Sequence, residues 1–60
     1  RLSAYFNANL VANTSLSVKH IIFRRPGLGL TESNVKQFFK KKINRNVKKN
    51  QLVMSKFFND

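Results

Sequence analysis

A chain of 60 residues is enough for one small domain only; a domain of that size buries about 60% of its unfolded surface and usually needs support beyond its own core. With no cysteine and a single histidine, His20, the sequence excludes a disulfide framework and a Cys/His zinc site. Twelve Lys and Arg stand against two acids, Glu32 and Asp60, for a net charge of +10: polyanions are attracted without a dedicated site, while paired-carboxylate catalysis and a carboxylate metal centre have no residues to build them.

Residues 1–8 read as a short strand, with Leu2, Ala4 and Phe6 on one parity, Tyr5 on the other, and Asn7 and Asn9 weakening the pattern. Asn13-Thr14-Ser15 is a turn signal, because Asn tolerates left-handed backbone angles and these side chains bond local amides. Ser17 to His20 fit one helical turn, and Ile21 to Arg24 read as a second strand stopped by Pro26-Gly27. The clearest helix follows Thr31 and runs over 32–40. Thr31 caps it, Glu32 sits in its first turn, Lys40 to Lys42 suit its C-terminal end, and Val35, Phe38 and Phe39 form its apolar face. Ile43 and Val47 with Leu52-Val53 predict two more short strands around a turn at Lys48-Lys49-Asn50, and Ser55 to Phe58 another helical turn.

No apolar run exceeds Ile21-Ile22-Phe23 in length, whereas a membrane span needs about 20 apolar residues, and no signal-peptide pattern is present. The lack of cysteine fits a reducing compartment, and a cytoplasmic location is expected. A start at Arg1, together with the small core, predicts that residues 1–60 are a single domain cut from a larger protein and packed against another domain or subunit.

A faint internal repeat runs through the chain. Residues 9–21 align with 46–58 at a constant offset: Asn9 and Asn46, Asn13 and Asn50, and Lys19 and Lys56 are identical, and Leu10 and Val47, Leu16 and Val53, and Ile21 and Phe58 are all apolar. Two strand–turn–strand–helical-turn units joined by the 26–42 segment predict a compact, mostly β domain of short strands with pseudo-twofold character.

That layout resembles the antifreeze-like (SAF, β-clip) domain, which forms the C-terminus of sialic acid synthases and, alone, the type III fish antifreeze proteins. The resemblance covers nearly the whole chain. Ser3-Ala4-Tyr5-Phe6-Asn7-Ala8-Asn9-Leu10 resembles the family's opening Ser-Leu-Tyr-Ala-x-x-Asp-Ile, and Val11-Ala12-Asn13-Thr14 sits where the family has Lys-Lys-Gly-Glu. Phe23-Arg24-Arg25-Pro26-Gly27-Leu28-Gly29-Leu30 resembles Val-Lys-Arg-Pro-Gly-x-Gly-Ile, the family's most telling stretch. Lys41-Lys42 to Val47-Lys48-Lys49-Asn50 resembles Gly-Lys-Lys-x-x-Arg-Asp-Ile-Lys-Lys-Gly. The chain departs from the pattern at Lys40, Asn13 and Asn50, where the family has glycines, and at Asn9 and Asn46, where it has acids. Asn is the residue after glycine best suited to positive backbone angles, so the turns survive the exchange.

The resemblance implies a parent enzyme of the N-acetylneuraminate synthase type, a C–C bond-forming transferase of carbohydrate biosynthesis. In such synthases a (β/α)8 barrel with a divalent metal, Mn or Mg, condenses phosphoenolpyruvate with an N-acylated amino sugar such as N-acetylmannosamine. The antifreeze-like domain crosses a domain-swapped homodimer and covers the partner's barrel mouth, and its arginine reaches the sugar's acyl group. By position that residue is Arg25, so the domain itself is non-catalytic, needs no cofactor and binds substrate through Arg25. A guanidinium with fixed N–H donors suits an acetamido oxygen, Pro26 restricts Arg25 to an extended conformation, and Gly27 and Gly29 let the loop approach another surface closely. The alternative for Arg25 is an ion pair with a carboxylate at the domain interface.

Other readings compete. A nucleic-acid module would use Lys36, Lys40, Lys41, Lys42, Arg45, Lys48 and Lys49, but no reader motif accompanies them and nucleic acid is not the expected partner. An ice-binding protein would use Asn13-Thr14-Ser15-Leu16-Ser17-Val18, but Lys19, His20 and Lys42 bring charge where the antifreeze proteins have none. A membrane-surface helix over 32–42 has too small an apolar face for anchoring, and no membrane partner is expected. His20 reads as a surface or half-buried residue on a short turn, and Phe38, Phe39, Phe57 and Phe58 as core or interdomain contacts.

Overall fold

The computed structural model describes residues 1–59. Two antiparallel strands, β1 (Ser3–Phe6) and β2 (Ile21–Arg24), pair in the register Ser3↔Arg24, Ala4↔Phe23, Tyr5↔Ile22 and Phe6↔Ile21. Directly opposed residues share a face of the ribbon. Ala4, Phe6, Ile21 and Phe23 therefore point into the core, and Ser3, Tyr5, Ile22 and Arg24 point out. Ile22 and Arg24 are exposed as the alternation demands, yet Ser3 and Tyr5 are buried, because the chain from 26 to 29 and the Leu52 segment lie over them.

A short helix, α1 (Glu32–Val35), continues into a 3-10 turn over Lys36–Phe38. Thr31 caps it, its side-chain oxygen accepting from the Asn34 amide at 3.3 Å. Val35 is buried, and Phe38 and Phe39 pack half-buried on the core. The helical segment is shorter than the 32–40 expected. Phe39 is already extended, and Lys40 takes φ 74° while its amide donates to the Leu16 carbonyl at 2.8 Å. Lys40 to Lys42 thus lie beyond the helix and do not serve its C-terminus.

The further strands expected around Ile43, Val47 and Leu52-Val53 are instead isolated bridges: Ile43↔Phe58, Leu10↔Val47, Tyr5↔Leu52 and Ser15↔Lys42. The helical turns expected near 17–20 and 55–58 are 3-10 turns over Val18–His20 and Ser55–Phe57. With two four-residue strands, one short helix and 3-10 turns, the molecule is a small mixed α/β fold, not plainly a mostly β one.

The sequence repeat has a counterpart in the hydrogen bonds. Leu10 and Val47, equivalent in the repeat, exchange both backbone bonds, at 3.0 and 2.9 Å. Around that pair the other bonds come in matched couples. Asn46 Oδ1 accepts from the Ala12 amide and Asn9 Oδ1 from the Lys49 amide, both at 2.8 Å. Asn13 donates to Ile43 at 2.8 Å as Asn50 donates to Phe6 at 2.7 Å, and both asparagines sit at positive φ, 73° and 74°. Asn7 and Asn44 each donate a side-chain N–H to the carbonyls of Lys19 and Lys56, at 2.9 Å. The correspondence reaches back to Phe6 and Ile43, farther than the residue identities alone extend.

Ala4, Phe6, Leu16, Val35, Ile43 and Val53 are the most deeply buried apolar residues, enclosed further by Val47, Phe57 and Phe58. Phe6 stacks on Phe57 at 6.1 Å between centroids and Phe38 on Phe58 at 4.7 Å, so these rings are core and not exposed platforms. Among the described residues no helix is long and apolar enough to cross a membrane.

Candidate functional site: the Arg25–Gly29 loop

The loop that carries Arg25 leaves the end of β2 and crosses the outer face of β1. The Arg25–Pro26 peptide is cis, and the side chains of Arg25 and Leu28 are exposed. Beneath them the backbone is tethered at successive points. The Pro26 carbonyl accepts from the Tyr5 hydroxyl at 2.7 Å and from the Leu28 amide at 3.1 Å. The Gly29 amide donates to Ser3 Oγ at 2.9 Å, which satisfies a hydroxyl that has no exposure to water. Leu30 then joins the core through its amide to Val53 at 3.4 Å and its carbonyl from Ala4 at 2.8 Å. The Arg24 guanidinium lies over the Tyr5 ring at 4.8 Å from its centroid.

Both glycines lie close against other parts of this chain. Neither has a positive φ. A methyl group at Gly27 would fall 2.9 Å from Arg1 Cγ and from the Arg1 carbonyl oxygen, and one at Gly29 would fall 2.8 Å from the Val53 carbonyl oxygen. The close approach they permit is to this chain's own backbone. Ser3 and Tyr5, which the sequence marks only as strand residues, prove to be the loop's supports. A buried hydroxyl pair two positions apart on one strand is the signal that identifies them, once the loop is known to cross that strand.

The other candidate groups are dispersed. Arg45 lies over the Phe57 ring at 4.9 Å and donates Nε–H to Asn44 Oδ1 at 2.8 Å, and Lys41 Nζ sits 5.6 Å from the Phe38 centroid. With one carboxylate in the described part of the chain, ring faces and carbonyls take the place of acidic partners for these cations. His20 is half-buried on its 3-10 turn, and its Nδ1 accepts from the Ser17 amide at 3.1 Å. Among the described residues no group of three or more His, Cys, Asp or Glu side chains comes together, and no pocket forms.

The chain matches no protein-family model and no curated protein sequence.

Proposed function

We propose that the chain is the antifreeze-like C-terminal domain of a nonulosonic acid synthase, and that it closes the sugar-binding end of an active site formed by a barrel outside this chain. The observation that carries the reading is the tethered loop that leaves Arg25 exposed on a backbone held at Pro26, Gly29 and Leu30. The matched hydrogen bonds around Leu10 and Val47 support the pseudo-twofold fold that goes with it.

In this reading Arg25 donates guanidinium N–H bonds to the acyl carbonyl oxygen of an N-acylated amino sugar such as N-acetylmannosamine. The loop contributes by orienting the sugar and by excluding water. The divalent metal of such synthases belongs to the barrel, as do the contacts of a domain-swapped dimer. Phosphoenolpyruvate binds there too, away from Arg25.

The test is kinetic. In the protein that carries this domain, Arg25→Ala should raise KM for the amino sugar or lower turnover, with phosphoenolpyruvate KM little changed. Unchanged sugar kinetics would reduce Arg25 to an interface residue, and absence of condensing activity would remove the synthase reading.

A further inference from the structure

We infer that Tyr5 and Ser3 are positioning residues that set the height and direction of the Arg25 loop, so that sugar recognition depends on two hydroxyls lying underneath it. The positioning role rests on Arg25 being the sugar contact; the mechanical claim, that these hydroxyls fix the loop, does not.

Both hydroxyls sit on the outward parity of β1, where an exposed ribbon face is the default, and both are buried. They meet the loop at separate points. Tyr5 donates to the Pro26 carbonyl, immediately after Arg25, and Ser3 accepts from the Gly29 amide, at the loop's far end. The Pro26 carbonyl that Tyr5 engages also closes the internal turn with the Leu28 amide, so one oxygen joins strand, loop entrance and loop tip. Arg24 covers the Tyr5 ring from outside and restricts its swing. Gly29 is hemmed in on its other side by Val53 and Leu52, which leaves the loop little room for a second arrangement. Removing either hydroxyl strips a hydrogen bond from the loop while the apolar core below, Ala4, Phe6 and Val53, stays intact.

Tyr5→Phe and Ser3→Ala separate this from a general loss of stability. Amide hydrogen exchange on the 60-residue chain should show the Leu28 amide losing protection by roughly 3–10-fold in Tyr5→Phe, and the Gly29 amide by a similar factor in Ser3→Ala. The Leu10 and Val47 amides, which pair with each other far from the loop, should keep theirs. Equal loss at all four amides, or none at Leu28 and Gly29, would overturn the mechanical claim. In the parent protein, Tyr5→Phe should raise sugar KM with kcat and phosphoenolpyruvate KM unchanged. If Arg25→Ala raises sugar KM and Tyr5→Phe does not, the positioning role is overturned. If Arg25→Ala itself has no effect, the sugar reading fails and takes the positioning role with it, while the exchange data still decide whether the hydroxyls fix the loop.

Discussion

Replacing Gly29 by alanine sets a methyl group against backbone that cannot yield. The new carbon would lie 2.8 Å from the Val53 carbonyl oxygen and 3.0 Å from Leu52 Cγ. Val53 is fully buried, its carbonyl accepts from Leu30 and its amide donates to Ala4 at 3.0 Å, so relieving the clash disturbs bonds on both sides. Forcing a methyl group into such a site costs about 1–3 kcal/mol. Because Gly29 does not have a positive φ, alanine also stiffens the unfolded chain and returns roughly 0.4–1 kcal/mol. The net expectation is a loss of about 1–2 kcal/mol, large beside the ~3–9 kcal/mol typical of a domain this size. It corresponds to a fall in Tm of roughly 5–15 °C. Gly27→Ala meets backbone as well: its methyl group would lie 2.9 Å from the Arg1 carbonyl oxygen, so it should also lose about 1–2 kcal/mol. Urea unfolding followed by circular dichroism measures both variants. A neutral Gly29→Ala would refute the claim that the loop is pressed onto Val53.

Two further outcomes follow from the same interactions. Asn9→Ala and Asn46→Ala each remove one of two equivalent 2.8 Å bonds to turn amides, so each should cost about 1 kcal/mol and the two losses should agree closely in chemical denaturation. Markedly unequal losses would show that the pseudo-twofold geometry does not extend to energetics. The net charge of +10 makes the folded chain self-repelling, so raising NaCl from 0.01 M, where the Debye length is about 30 Å, to 0.15 M, where it is about 8 Å, should raise Tm. A Tm that falls over this range would mean that attractive pairs outweigh repulsion.

The local signals in the sequence carried well where one residue decides the outcome. Ile21 to Arg24 is a strand because β-branched and aromatic residues end against Pro26, and Thr31 begins the helix because its side chain meets the Asn34 amide. Asn13 and Asn50 mark turns that need a positive φ. The repeat was legible for the same reason: its asparagines make the same local bonds twice. What the sequence did not carry depends on segments meeting from far along the chain. Tyr5 has the parity of an exposed residue and is buried because Pro26 and Leu52 come to lie over it. Ile43, Val47 and Leu52 have strand composition but each forms one isolated bridge, to Phe58, Leu10 and Tyr5, which is too little for a continuous ladder. The apolar spacing of Val35, Phe38 and Phe39 suggested a helix to residue 40, but it ends early because Lys40 is drawn into a bond with Leu16. Arg25, Pro26, Gly27 and Gly29 are adjacent in sequence and stay together as one loop, while Ser3 and Tyr5, which support it, are more than twenty positions away.

The most direct test of the functional account is the condensation assay on the full protein and its Arg25→Ala variant, with phosphoenolpyruvate and N-acetylmannosamine or a related N-acylated sugar. The expected result is an active parent, a large rise in sugar KM or loss of turnover in the variant, and phosphoenolpyruvate KM little altered. An active parent whose sugar kinetics ignore the substitution would contradict the role of Arg25. A parent that condenses none of these sugars would contradict the synthase reading itself.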